Sequence, residues 1–124
     1  MSFSQNTYAG QQKLQLSGST AGRPIALGSS GTAVTAHTTS TSSRIYDEVW
    51  IYIANIGATN AVTTVAFAGT TAIKVTVPPS SGLTLVVPGT LLSGTGSESS
   101  TITVTDTSAT GNAYIHGYVL RTAL

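Results

Sequence analysis

The chain has 124 residues, a formal net charge of +1 and only 7% charged residues, and its length is typical of one domain. Its five basic residues are scattered rather than clustered, which argues against nucleic-acid binding through phosphate contacts. The sequence has no cysteine, which excludes disulfides and thiolate metal sites, and no apolar run is long enough to predict a membrane-spanning helix.

The first 32 residues differ in composition from the rest of the chain. They are rich in Gln, Gly and Ser, and their larger aliphatic residues fall in isolated pairs, Leu14 with Leu16 and Ile25 with Leu27. Such a segment is either a loose terminus or an arm that becomes ordered only against a neighbouring subunit, because its low hydrophobicity does not offset the entropy of ordering. We predict an extended N-terminal arm over residues 1–32, anchored by these four side chains, and a β-sandwich domain over residues 33–124.

The predicted domain begins with a strand over residues 33–39 and, after a Ser/Thr tract, reaches the most apolar strand of the chain. Its side chains alternate, yet both faces are apolar: Val49, Ile51 and Ile53 on one, and Trp50, Tyr52 and Ala54 on the other. A strand without a polar face lies in the centre of a sandwich or is pressed against another chain.

Short strands separated by turn residues fill the remainder of the sequence. They are predicted over residues 61–68, 72–77, 82–87, 100–106 and 113–121, with a break at Pro88-Gly89. In the strand predicted over residues 82–87, Leu83, Leu85 and Val87 share one face by simple alternation. With no helical period in the sequence, we predict an all-β fold, a single β-sandwich or jelly-roll-like domain of seven or eight antiparallel strands.

Few residues are candidates for chemistry. Asp47 and Glu48 are adjacent, so on a strand they point to opposite faces, and they are interpreted as charges that mark the water boundary where the strand begins. His37 and His116 lie on separate strands, and a structural role is favoured over a metal pair. We therefore predict no catalytic residues, no metal, no cofactor and no enzymatic activity.

The aromatic residues Trp50, Tyr52, Tyr114 and Tyr118 are the remaining candidates for a binding role. They are compatible with a carbohydrate-binding platform. Packing in the core or in a subunit interface explains them equally well and is favoured, because Tyr and Trp are common where an apolar body meets a polar rim.

Several segments also resemble a known family: residues 47–55 (DEVWIYIAN), 75–78 (VTVP), 82–89 (GLTLVVPG) and 115–121 (IHGYVLR). Together they resemble small virion structural proteins of tailed bacteriophages, of the kind that decorate or cement the capsid. The low charge, the lack of cysteine and a first segment that does not look like an export signal are in keeping with a virion component made in a host cytoplasm.

The resemblance implies a compact β-fold on the capsid surface, often trimeric, with the major capsid protein and copies of itself as partners. It implies no catalytic residues. On this basis we predict a decoration or cement protein, with no nucleic-acid or membrane partner, whose assembly interface includes Trp50, Tyr52, Tyr114, Tyr118 and the four anchors of the arm. The alternative is a phage tail or fibre adhesin, or a carbohydrate-binding β-module.

Overall fold

The computed structural model describes residues 11–123 and contains two antiparallel sheets packed face to face. Its strands are β1 (Gln12–Gln15), β2 (Ile25–Ala26), β3 (Val34–Thr38), β4 (Ile45–Asn55), β5 (Ala61–Phe67), β6 (Thr70–Val77), β7 (Leu83–Ser93), β8 (Thr101–Asp106) and β9 (Ala113–Ala123). One sheet has the order β1-β9-β4-β7, with β2 also paired to β9, and the other has the order β3-β8-β5-β6. This confirms the predicted all-β sandwich of the jelly-roll type.

The centre of the five-stranded sheet is the pair β4 and β9, which match residue for residue from Asn55 opposite Ala113 to Ile45 opposite Ala123. The inward side chains of β4, Val49, Ile51 and Ile53, are fully buried, as expected for β-branched residues between two sheets. The strand therefore lies inside a sheet of the sandwich, which is one of the two positions predicted for it.

A glycine lies at the middle of β9 because the two sheet layers and the neighbouring strand leave no room for a side chain. A Cβ on Gly117 would lie 2.2 Å from the backbone oxygen of Trp50 and 3.2 Å from Cδ1 of Leu16. Leu16 occupies the space that a side chain at this inward position would otherwise take. The glycine thus marks a close backbone approach inside a strand.

The described part of the N-terminal segment belongs to the sandwich, which corrects the predicted division between residues 32 and 33. β1 pairs with β9 from Gln12 opposite Arg121 to Gln15 opposite Tyr118, and β2 pairs with the same strand nearer its start. Leu16 and Leu27 are 1% and 2% exposed and lie in the hydrophobic core. Residues 11–32 are therefore not an arm beside the domain, while residues 1–10 of the predicted arm lie outside the described residues.

The predicted break at Pro88-Gly89 is also corrected, since β7 continues through it. Two register shifts in its pairing with β4 leave Val86 and Gly89 as extra residues in bulges. Pro88 is tolerated because β7 is an edge strand, where a missing N–H costs no ladder hydrogen bond. The bulge at Val86 resets the alternation, so that Leu83 and Leu85 point outward while Val87 is buried.

A buried carboxylate stabilises the turn before β9. Asp106, 1% exposed, accepts hydrogen bonds from the backbone N–H and hydroxyl groups of both Ser108 and Thr110. Burial raises the pKa of Asp106, but these hydrogen bonds outweigh it and hold the pKa below its ordinary value. Asp106 is therefore a buried structural carboxylate rather than a surface charge.

Candidate functional site

The outer surfaces of the two sheets differ in chemistry. On the four-stranded sheet the outward positions of β8 and its neighbours are mainly threonines, with Thr103 and Thr105 opposite Ala66 and Thr64. On the five-stranded sheet the outward positions of β4, β9 and β7 are mainly aromatic and aliphatic. We call these surfaces the threonine face and the aromatic face, the latter formed by Trp50, Tyr52, Tyr114, His116, Tyr118, Leu83 and Leu85.

Trp50 and Tyr118 stack on each other at one end of the aromatic face. They are cross-strand partners on β4 and β9, and their rings are stacked with centroids 6.3 Å apart and an interplanar angle of 14°. The ammonium group of Lys13, from β1, lies 4.6 Å from the centroid of the Tyr118 ring, within the range of a cation–π contact. Both aromatic side chains are half-buried.

The indole of Trp50 is held in place from two further directions. Its Nε1–H donates a 2.7 Å hydrogen bond to Oε2 of Glu48, two residues earlier on the same outward side of β4. A Cβ on Gly89 would lie 2.8 to 3.4 Å from three atoms of the indole ring, so the ring lies against the backbone of the bulge in β7. Gly89 also has φ of 74°, which favours glycine.

The rest of the aromatic face extends from this pair along the strands. Tyr52 lies between His116 on β9 and Leu85 on β7, and Tyr114 is the partner of Ala54. Leu83 and Leu85 are 55% and 43% exposed, while the aromatic side chains are half-buried. The result is a continuous aromatic and aliphatic surface supplied by strands rather than by loops.

The structure brings together only half of the residues that the sequence assigned to an assembly interface. Trp50, Tyr52, Tyr114 and Tyr118 share the aromatic face, where Trp50 is half-buried on the outer side of the sheet rather than inside the core. The four aliphatic anchors do not belong to it: Leu16 and Leu27 are in the core, and Leu14 and Ile25 lie opposite the inward residues Val119 and Ile115.

Lys13, Glu48, Leu83 and Leu85 are members of the site that the sequence did not predict. Glu48 had a local signal, because a residue two positions before a tryptophan on a strand lies on the same side of the sheet. The two leucines were predicted to share a face with Val87, which is buried, since the bulge at Val86 is not visible in the alternation of the sequence.

A buried ionic network lies on the opposite, inward side of β4. Asp47 is fully buried and accepts hydrogen bonds from Arg121 Nε (2.7 Å) and Nη2 (2.9 Å) and from His37 Nε2 (2.7 Å). The backbone N–H of Ser17 donates to His37 Nδ1, so that nitrogen is unprotonated and Nε2 carries the hydrogen. The interpretation of Asp47 as a charge at the water boundary is wrong, whereas the structural role of His37 is confirmed.

The network connects the two sheets of the sandwich. His37 is on β3 of one sheet, and Asp47 and Arg121 are on the other. The Ser17 backbone N–H donates to His37, and the Ser17 hydroxyl oxygen accepts a hydrogen bond from Thr38 N–H, which ties the loop after β1 to β3. Burial raises the pKa of Asp47, but hydrogen bonds from Arg121 and His37 outweigh it and hold the pKa below its ordinary value. The hydrogen bond to Asp47 in turn raises the pKa of Arg121.

Within residues 11–123, no group of three or more His, Cys, Asp or Glu side chains is arranged to hold a metal ion. The same part of the chain forms no helix with the length and hydropathy needed to cross a membrane.

Comparison with known proteins identifies the type of fold but does not assign the chain to a family. No protein-family model matches the chain, and no curated protein matches it. Among solved structures it is similar to CBM35 from Cellvibrio japonicus Abf62, with a TM-score of 0.56 and 17% identity over 94% of this chain and 93% of the other.

Two further solved structures contain a similar domain. One is the Podospora anserina GH26-CBM35 β-(1,4)-mannanase, with a TM-score of 0.51, 17% identity and coverage of 94% of this chain and 28% of the other. The second is the exo-β-1,3-galactanase from Phanerochaete chrysosporium with β-1,3-galactotriose, with a TM-score of 0.50, 22% identity and coverage of 90% and 26%. The chain thus spans about a quarter of these two enzymes, and at such identities the likeness shows a common β-sandwich fold.

Proposed function

We propose that the chain is a non-catalytic carbohydrate-binding β-module and that the aromatic face is its ligand-binding surface. The observation that carries this proposal is the gathering of four half-buried aromatic side chains, Trp50, Tyr52, Tyr114 and Tyr118, on the outer side of one sheet. Aromatic rings offer apolar surface to the C–H groups of a sugar, and polar side chains at their border supply partners for its hydroxyls.

The comparison of structures supports the same function over capsid decoration. The similar domain of Cellvibrio japonicus Abf62 is a carbohydrate-binding module, and it matches this chain over nearly the whole length of both. The threonine face serves as an internal contrast, because its short polar side chains provide no comparable apolar area.

The experiment is affinity gel electrophoresis against a panel of soluble polysaccharides, followed by calorimetry with the one that retards the protein most. We expect Trp50→Ala and Tyr52→Ala to weaken binding at least about tenfold, which corresponds to about 1.4 kcal/mol. Thr103→Ala, on the threonine face, is the matched control and is expected to bind like the unaltered protein. Each variant is first checked for cooperative thermal unfolding, so that lost binding is not confused with lost folding.

Equal retardation of the unaltered protein and both aromatic variants would show that the ligand binds somewhere other than the aromatic face. A protein that no polysaccharide retards would contradict the proposed function altogether.

A second candidate function is the structural virion protein implied by the sequence resemblance, with the major capsid protein and other copies of this chain as partners. One observation favours it: besides Leu83 and Leu85, Leu91 on the outward side of β7 is 66% exposed. Exposed aliphatic groups next to the aromatic rings extend the apolar surface, and soluble monomers rarely carry large patches of this kind.

This second function predicts a homo-oligomer, most simply a trimer. We expect light scattering at micromolar concentration to give a multiple of the 12.6 kDa chain mass, and Leu85→Asp to lower that mass, because a buried unpaired charge opposes association. Thr103→Asp serves as the control with the same added charge on the threonine face. A monomer mass for the unaltered protein would count against the virion function and leave the carbohydrate proposal intact.

A further inference from the structure

The charges and the shape of the aromatic face allow its ligand to be specified further. We infer that the face takes an uncharged, extended polysaccharide that lies lengthwise along β4 and β9. This inference rests on the proposed function, because it concerns the class of carbohydrate bound at the same surface.

The first argument is the charge of the face. By strand register, Lys13 on β1 and Glu48 on β4 lie on this side of the sheet, and both flank Leu120 in the same row. They carry opposite charges, and each is engaged within the chain: the Lys13 ammonium lies over the Tyr118 ring, and the Glu48 carboxylate accepts the Trp50 indole N–H. An acidic polymer near Lys13 would also meet the carboxylate of Glu48, so the face offers no net attraction to a charged ligand.

Contacts link the four groups in series, from Lys13 through Tyr118 and Trp50 to Glu48. A ligand that recruited either charge would compete with a cation–π contact or with the hydrogen bond that fixes the indole. An uncharged ligand leaves these contacts intact and uses the apolar surface and its polar border. His116 is also on the face, opposite Tyr52.

The second argument is the shape of the face. Its rows of cross-strand partners are Trp50 with Tyr118, Tyr52 with His116, and Ala54 with Tyr114. Outward side chains on a strand repeat every two residues, so the first and third rows are about 13 Å apart, whereas the three strands that form the face, β7, β4 and β9, span only about 10 Å from the outermost to the outermost. The surface is therefore longer along the strands than across them, and it suits several consecutive sugar units of a linear chain.

The test uses the full chain and begins with gels containing neutral polymers (galactomannan, mixed-linkage β-glucan) or acidic polymers (polygalacturonate, alginate). We expect retardation by at least one neutral polymer and a dissociation constant that changes less than about twofold between about 20 and about 500 mM NaCl, because screening has little effect on uncharged partners. Tighter binding of an acidic polymer, weakened by salt, would overturn the inferred class while leaving carbohydrate binding in place.

The lengthwise arrangement is tested with oligosaccharides prepared from the polymer that binds. We expect the hexasaccharide to bind at least about tenfold more tightly than the monosaccharide, and Tyr114→Ala to make the trisaccharide and the hexasaccharide equal within about twofold, because the third row is lost. Thr103→Ala should keep the full length dependence. A monosaccharide that binds as tightly as the hexasaccharide would overturn the arrangement, and no binding to any polymer would instead overturn the proposed function itself.

Discussion

Asp47→Asn is expected to destabilise the fold by about 3 kcal/mol, the lower end of what breaking a buried ion pair costs. The lower end applies because Arg121, at 29% exposure, can still reach water, whereas His37 cannot. Ser17 N–H fixes His37 Nδ1 as an acceptor, so Nε2–H must donate, and Arg121 can only donate. Whichever way the new amide is turned, its NH₂ group faces another donor in a buried site.

The measurement is chemical denaturation at neutral pH, with Glu48→Gln as the matched control. Glu48 is the neighbouring acidic residue, but it lies on the outward side, and a glutamine oxygen can still accept the Trp50 N–H. The control is expected to stay within about 0.5 kcal/mol of the unaltered protein. If the stability of Asp47→Asn were also within about 0.5 kcal/mol of that of the unaltered protein, the network would not stabilise the fold.

The same network makes stability depend on pH in a defined direction. Asp47 and Asp106 both have lowered pKa values in the folded protein, so the unfolded chain binds protons first as the pH falls. The stability that they contribute is therefore fully present above the unfolded pKa of about 3.9 and is lost as the pH falls below it toward the folded values. Denaturation between about pH 7 and about pH 2 should show this decline, and Asp47→Asn should make it shallower. A stability that rises on acidification would contradict the assignment.

The sequence predicts the central strand well because the information is local. From Val49 to Ala54 the residue types and their alternation are enough to give a strand with two apolar sides, and the same reasoning selects the outward aromatics of β9. The joining of these two sets into one face depends on the pairing of β4 with β9, some 60 residues apart, which alternation alone does not specify.

Asp47 was misjudged because its partners are distant in sequence. His37 and Arg121 lie 10 and 74 residues away, and an isolated aspartate near a strand start is ordinarily exposed. One signal was available. Arg121 lies an even number of residues from the inward residues Ile115 and Val119, so it starts on the same side of the strand, and a cation on the inward side needs an anionic partner.

The leucines of β7 were misassigned for a different reason. The alternation rule holds only while the strand is regular, and each bulge shifts every following side chain to the opposite face. The dipeptide Pro88-Gly89 is a signal for one irregularity, but Val86 gives none. Part of the aromatic face was therefore invisible in the sequence.

The last prediction concerns the N-terminal segment, for which the sequence and the structure lead to opposite results. If residues 1–32 were an arm, deleting residues 2–30 would leave the sandwich folded. The structure predicts instead that the deleted chain loses its cooperative thermal transition, because β1 and β2 cover the outer edge of β9, and Leu16 and Leu27 are part of the core. Its described part, residues 11–32, was mistaken for an arm because the strands there have only four and two residues, too short for a periodic pattern.

Point variants test the same idea without removing the segment. Leu16→Ala is expected to cost about 2–5 kcal/mol, since it empties the space above Gly117, which has no side chain of its own, and Leu27→Ala is expected to fall in the same range. Leu91→Ala, the matched control at a 66% exposed site, should cost less than about 0.5 kcal/mol. Denaturation curves of the three variants give the comparison directly. The arm would be the correct description if all three point variants had the same stability and if the variant lacking residues 2–30 kept the thermal midpoint of the full-length protein. Residues 11–32 would then contribute nothing to the core.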